Sequence, residues 1–261
     1  MDSVSKTLYI PLYGKAYVSK RGLFLNDAKA EEIWAAEGFA LKGKSRSKWL
    51  AFYMGIRSAV FDGWVRECLA DADDAVVLHL GCGMDSRTLR LGDLRCKWYD
   101  IDLPEVICQR RRYYEESPRC RMLAGDARDA AWLAEIPETG HAVVVMEGVS
   151  MYLTPAEMQA LAARLCAHFQ QVSLLTDCYT VLAAKMSRLK NPVNEVGVTC
   201  VHGIDDPLLL QTGELTFVKE HEMTPQAFID QLHGAEKYIF RKLYAGGFSK
   251  KLYRLFEYRK G

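Results

Sequence analysis

The sequence predicts an α/β fold: a doubly wound, mostly parallel sheet with a helical N-terminal cap and an antiparallel pair at one sheet edge. Three observations predict it. Five short apolar runs, 75–80, 97–102, 121–124, 141–146 and 171–177, alternate with stretches of helical character, the pattern of successive βαβ units with right-handed crossovers. The first run closes on a glycine-bearing turn at Gly81, where a buried parallel strand gives way to a helix. Two later runs, 215–223 and 252–258, follow a turn-rich stretch and fit the antiparallel pair.

The elements follow in order. Asp27 is placed to cap a helix over 28–36, with Glu31 and Glu32 favourable in its first turn. After a basic loop at 42–48, Trp49, Phe52, Tyr53, Ile56, Val60, Phe61, Trp64 and Val65 recur at helical spacing, so this helix needs a partner for its apolar face. Helices are expected over 104–115, briefly near 129–133, and over 155–169, the first and last with proline in the first turn. Residues 178–190 read as helix, 191–213 are rich in turn formers, and Thr224-Pro225 opens another helix. The expected division is a cap over 1–70 and a Rossmann-like domain over 71–261, with a lid inserted near 178–213.

Composition narrows the function. With 49% hydrophobic and 26% charged residues, the chain can bury a core and is not a disordered polymer. Its net charge of +1 gives no general argument for a polyanionic partner, although both ends are locally basic around an acidic middle. Met1–Leu12 holds no signal-peptide apolar run and no stretch reaches bilayer-spanning length. The 8 cysteines are scattered without a C-x-x-C pair, which argues against a zinc ribbon or disulfide scaffold and for reduced thiols in the cytoplasm.

Chemistry collects at the strand tips. In His79-Leu-Gly-Cys-Gly-Met-Asp-Ser-Arg87, glycines let a ligand approach the backbone before a helix N-terminus. Ser86 replaces the third glycine of the dinucleotide fingerprint, which disfavours a dehydrogenase. Asp100 and Asp102 share a face of the second strand, Asp102 nearer its mouth; an acid there can accept both ribose hydroxyls, or simply cap the next helix. Asp126 after the third strand is placed for an adenine amine or for a cap, and Glu147 opens from the fourth strand as a carboxylate that burial makes costly without a partner. Polar groups at four successive strand ends converge on one crevice.

At these residues the chain resembles the leucine carboxyl methyltransferase family, which includes polyketide carboxyl O-methyltransferases and protein-phosphatase C-terminal methyltransferases. The marks are Leu80-Gly-Cys-Gly-Met-Asp-Ser-Arg87, Asp100-Ile-Asp102-Leu-Pro104, Gly125-Asp126-Ala-Arg-Asp129 and Glu147-Gly-Val-Ser-Met-Tyr-Leu153, with Gly55-Ile-Arg57-Ser58 and Gly203-Ile-Asp-Asp-Pro207 in support. The resemblance implies a class I methyltransferase sheet and S-adenosylmethionine as cofactor. It assigns Gly81, Cys82 and Gly83 to the methionine part, Asp102 to the ribose, and Asp126 with Ala127 to the adenine. It assigns Glu147 to the ammonium end and Arg57, seconded by Lys15, to the carboxylate. Cys82 stands where the family often has alanine, and no activating base beside it points to a reactive thiol.

The reaction this implies is methylation of a carboxylate on a small molecule or a peptide C-terminus. Such an acceptor is already ionised and requires no general base, so orientation is the main task. A positively lined acceptor pocket is expected, with Tyr17, Lys20, Arg21, Tyr152 and His202 as candidates. Tyr152 and His202 are the candidates for a catalytic role, His202 as a base if the acceptor is a hydroxyl. No metal is expected. Two alternatives stand beside this reading: an RNA-directed methyltransferase using the basic ends, and a non-catalytic S-adenosylmethionine-binding protein.

Overall fold

The structure is a computed structural model that describes residues 8–37, 43–70, 72, 74–92, 95–129, 131–138, 140–187 and 201–261, with backbone alone at 43, 44 and 248. The chain opens with three helices, α1 (Tyr9–Lys20), α2 (Ala28–Glu37) and α3 (Lys48–Leu69). The Asp27 carboxylate accepts from the Ala30 amide at 2.9 Å, the cap its position predicts. Ser47 does the same for α3, accepting from the Trp49 amide at 3.3 Å. Helix α3 is buried on most of its circumference, including Phe52, Ile56, Phe61 and Val65, because it lies between α1 and the sheet.

The sheet contains β1 (Ala75–Leu80), β2 (Lys97–Asp102), β3 (Cys120–Ala124), β4 (His141–Met146), β5 (Gln171–Tyr179), β6 (Thr216–His221) and β7 (Tyr253–Lys260). Their spatial order is β3-β2-β1-β4-β5-β7-β6. All pairs among β1 to β5 are parallel, and β7 runs antiparallel to both β5 and β6. Strand alternation explains why the central runs are apolar throughout. Val76, Leu78, Ala142 and Val144 face one core, whereas Val77, Val143 and Val145 face the core shared with α3.

Helices α4 (Arg87–Leu91), α5 (Pro104–Arg110) and α6 (Pro155–His168) follow β1, β2 and β4. Helix α5 stops at Arg110, five residues before the expected end. The Arg110 side chain turns inward to Asp100 at 2.6 Å, and the Arg112 and Tyr113 amides bond three residues back, to Gln109 and Arg110, forming turns at 111–113. The segment expected near 129–133 is a 3₁₀ turn over Ala131–Glu135. Beyond β5 come α7 (Val181–Ser187), α8 (Gln226–Ile229), α9 (Gly234–Leu243) and α10 (Gly247–Lys250). The helix expected after Thr224-Pro225 is thus two pieces, broken at Gly234 with its φ of +52°. Strand β5 runs two residues further than predicted, so the helix expected over 178–190 starts at Val181; residues 188–200 of the expected lid lie outside the described residues. Among the described residues no helix is long and apolar enough to cross a membrane, and no His/Cys/Asp/Glu group could hold a metal ion.

Candidate active site

A cavity of about 900 Å³ crosses the C-terminal tips of the parallel strands and is lined from Asp126 beyond β3 to Tyr253 on β7. Open α/β sheets bind ligands here, at the switch point where neighbouring connections leave in opposite directions, here between β1 and β4. Ten residues raised by the sequence line it: Lys15, Arg57, Gly81, Cys82, Gly83, Asp102, Asp126, Ala127, Glu147 and Tyr152.

The turn after β1 is shaped for close approach. Gly81 has φ +64°, and a Cβ there would lie 2.2 Å from Cγ2 of Val149, so only glycine fits. The Gly83 amide donates to the Asp102 carboxylate at 2.7 Å, and the Leu103 amide donates to its other oxygen at 2.8 Å. Burial outweighs these bonds and the nearby Arg110 charge and pushes Asp102 up to about 6. Asp100, two residues earlier, is committed elsewhere: His79, Trp98 and Arg110 hold it in the core. It is not among the lining residues.

Glu147 and Arg57 belong to an alternating row of buried charges. Lys15 pairs with Asp85 at 3.1 Å, Asp85 with Arg90 at 2.6 Å, Arg90 with Asp62 at 2.9 Å and Asp62 with Arg87 at 2.7 Å. Arg87 then contacts Glu147, Glu147 pairs with Arg57 at 3.0 Å, and Arg57 with Asp177 at 2.9 Å. Each ion is thereby compensated in a place where an isolated one would be very costly. Burial alone would raise Glu147, but Arg57, Arg87 and Lys15 overcome it and hold its carboxyl down at about 2. Arg57 also donates from Nη1 to the Tyr253 hydroxyl at 2.9 Å. Its Nη2 makes no hydrogen bond among the described residues and lies beside Gly148, whose φ of +75° accounts for glycine at that position.

His79 lines the cavity as well, yet it is locked. Arg87 Nη1 lies 3.2 Å from its Nε2, so that nitrogen carries the lone pair and Nδ1–H points to Asp100 at 3.1 Å. Burial lowers its pKa, leaving it neutral and without a free basic nitrogen. The Cys82 thiol is buried and pushed well above its ordinary value by that burial, as befits a small packing residue.

Asp126 lies at the other end, held down by hydrogen bonds from Arg128, whose Nε is 2.9 Å from both carboxylate oxygens. Four acceptor candidates do not reach the cavity. Tyr17, Lys20, Arg21 and His202 are absent from its lining. Arg21 instead pairs with Glu236 at 2.8 Å, and Tyr17 packs into the cap. The His202 amide donates to the Met151 carbonyl at 2.8 Å. In place of the expected cationic lining, the end beyond Glu147 is walled by Tyr53, Tyr152, Tyr179, Tyr244, Met186 and Leu243. Asp85, Arg87 and Asp177 carry much of the site's electrostatics without an assigned role from sequence. Asp177 was legible by the same signal as Asp102 and Glu147, an acid closing an apolar strand.

Sheet order, the antiparallel seventh strand and the crevice at the strand tips define a class I methyltransferase fold. The chain belongs to the leucine carboxyl methyltransferase family, whose profile matches residues 7–166. It is 28% identical over 92% of its length, and 90% of the relative's, to the tetracenomycin polyketide synthesis O-methyltransferase TcmP of Streptomyces glaucescens. It is 29% identical over 81% of its length, and 79% of the relative's, to the S-adenosyl-L-methionine-dependent methyltransferase dpfgK of Gibberella zeae. Among solved structures, a putative methyltransferase from Thermobifida fusca superposes with a TM-score of 0.57 at 13% identity, covering 95% of this chain and 94% of that one. The protein is an S-adenosylmethionine-dependent O-methyltransferase.

Proposed function

We propose that the enzyme methylates a carboxylate of a small, largely aromatic acceptor such as a polyketide acid, and that the strand-tip residues hold the cofactor as follows. Asp102 receives the ribose hydroxyls. Its carboxylate is half-buried, accepts from two amides among the described residues and is pushed up to about 6, so it gains from two further hydroxyl donors. Asp126 and Ala127 face the adenine. Glu147 takes the ammonium group, and Arg57 offers Nη2 to the carboxylate with Lys15 beside it. The observation that carries this reading is the Arg57–Glu147 pair, which presents a cation and an anion side by side at the cavity wall. A zwitterionic amino-acid tail needs both.

Bound there, S-adenosylmethionine supplies a methyl group already activated on sulfur. The protein's residues bind, orient and dry the site. Transfer of that methyl to an acceptor carboxylate would ask no residue of this chain to add or remove a proton. The acceptor end supports this choice because its phenols are committed. Tyr253 donates to Asp177 at 2.6 Å, and burial raises both Tyr53 and Tyr253. A hydroxyl acceptor would need a base, and phenols held protonated in this way are poorly suited to serve as one.

The aromatic wall and the relationship to a polyketide O-methyltransferase support a small acceptor over a peptide or RNA. Free thiols at the seven described cysteines support a cytoplasmic setting, and the cap over 1–70 with a lid near 178–213 remains our division of the chain. The test is incubation with aromatic carboxylic acids and matched phenols, reading S-adenosylhomocysteine release and alkali-labile esters. Ether products, or no turnover of any acid, would overturn the carboxylate assignment. A salt-sensitive RNA mobility shift would favour the RNA reading.

A further inference from the structure

We propose that a collar of unpaired cations at the acceptor mouth recruits the anionic acceptor and releases the neutral ester. This rests on the carboxylate reading above. Met186 and Leu243 line the cavity yet are 45% and 59% exposed, so the cavity opens to solvent between α7 and α9. Ser249 and Leu252, around the end of α10, line it too. Each of these mouth elements carries exposed cations: Lys185 beside Met186, Arg241 and Lys242 before Leu243, and Lys251 before Leu252.

These four make no ion pair within 4 Å among the described residues; Arg241 acts on Asp230 only at longer range, and Lys242 rests against the Tyr238 ring, 5.7 Å from its centroid. Their neighbours are balanced. Lys237 meets Asp230 at 2.8 Å and Lys250 meets Glu222 at 3.4 Å. Glu236, the one acid on α7, α9 and α10, is held by both Arg21 at 2.8 Å and Lys48 at 3.0 Å. Among the described residues the mouth therefore keeps a positive surplus that the interior does not share, since Arg57 inside is paired with Glu147 and Asp177.

Same-sign charge around a low-dielectric opening concentrates opposite charge and raises encounter rates. The exposed Met186 and Leu243 on the same rim suit the apolar body of an aromatic acid. Methylation then changes the ligand's side of the balance. The carboxylate gains a methyl, its negative charge is gone, and the attraction that drew it in no longer holds it. Discrimination between acid and ester becomes a difference of affinities created by the reaction itself.

The test uses naphthalene-2-carboxylate and its methyl ester as fluorescent probes of the full chain saturated with S-adenosylhomocysteine. The comparison is with a Lys185→Glu/Arg241→Glu/Lys242→Glu variant, all three positions exposed and outside the cofactor region. The expected result is an acid affinity that falls with added salt and drops roughly tenfold in the variant, with ester and S-adenosylhomocysteine affinities unchanged. Equal weakening of acid and ester, an acid affinity indifferent to salt and variant, or no binding of the acid would overturn the collar. Ester formation is scored separately. Intact ester formation alongside charge-insensitive acid binding removes the collar and leaves the carboxylate reading standing.

Discussion

Arg57 and Glu147, 90 residues apart in sequence, meet as a buried ion pair with Nε 3.0 Å from Oε1 and each side chain 4% exposed. One comes from the middle of α3 and the other from the tip of β4. The pair therefore ties the helical N-terminal segment to the sheet at the cavity wall. Glu147 also serves Arg87 and the Ser58 hydroxyl.

Removing that carboxylate takes one anionic partner from each of two buried guanidinium groups, leaving Arg57 with Asp177 and Arg87 with Asp62. Glu147→Ala should cost about 3–5 kcal/mol of stability, the range for breaking a buried pair from one side. It should also weaken S-adenosylhomocysteine binding beyond what the lowered stability explains. Denaturant unfolding with and without ligand separates the two effects. A variant unfolding like wild type would mean the row of charges is not coupled to the fold.

Much of this arrangement was legible in the sequence because strand tips are local features. Asp102, Asp126 and Glu147 each close or follow an apolar run, and the cavity collects them. The chain-distant relations were not legible. Asp62, Arg87 and Arg90 look like ordinary helix-surface charges in sequence, and only the packing of α3 against α4 turns them inward onto each other. Charge and residue chemistry alone point Lys20, Arg21 and His202 to the acceptor pocket. The structure spends Arg21 on Glu236 instead, 215 residues away. Helix α5 ends early because the amides of Arg112 and Tyr113 bond three residues back, to Gln109 and Arg110, and tighten the chain into turns.

Asp102 gives a pH signature. Its pKa in the free protein is raised to about 6 by burial, and hydrogen bonds from ribose hydroxyls favour the ionised form, lowering it in the complex. Binding thus releases a proton below about pH 6 and none well above it. Affinity for S-adenosylhomocysteine should be level above neutrality and fall as pH drops through 6, by at most about tenfold per pH unit for one proton. In Asp102→Asn the affinity should be weaker and this dependence lost. Calorimetry across pH 5 to 8 reads both; an identical pH profile in the variant would remove Asp102 from the ribose site.

The glycine turn makes a paired prediction. Gly81→Ala must hold φ near +64° while its Cβ drives into Val149, so cofactor binding should be lost and the melting temperature lowered. Cys82→Ala at the next position should be nearly silent, since the thiol is buried and stays protonated. Alkylation of the native protein checks the second half directly. Exposed Cys108 should label and Cys82 should not, whereas rapid labelling of Cys82 that cofactor blocks would mark it as reactive.

Tyr253 and His202 separate a positioning role from a catalytic one. The Tyr253 hydroxyl accepts from Arg57 at 2.9 Å and donates to Asp177 at 2.6 Å, so it fixes the guanidinium from the side opposite Glu147. Tyr253→Phe deletes both bonds and leaves Asp177 with one donor fewer in a buried site, a loss of about 1–3 kcal/mol. If Arg57 holds the cofactor carboxylate, the loss should appear mainly as a higher KM for S-adenosylmethionine, with kcat changed less. His202 lies outside the cavity lining, and His202→Ala should leave kcat within about twofold, where loss of a general base would cost about 100-fold or more. Steady-state kinetics on both variants decide the matter. A kcat collapse in His202→Ala with unchanged KM would return that histidine to the reaction and point to a hydroxyl acceptor.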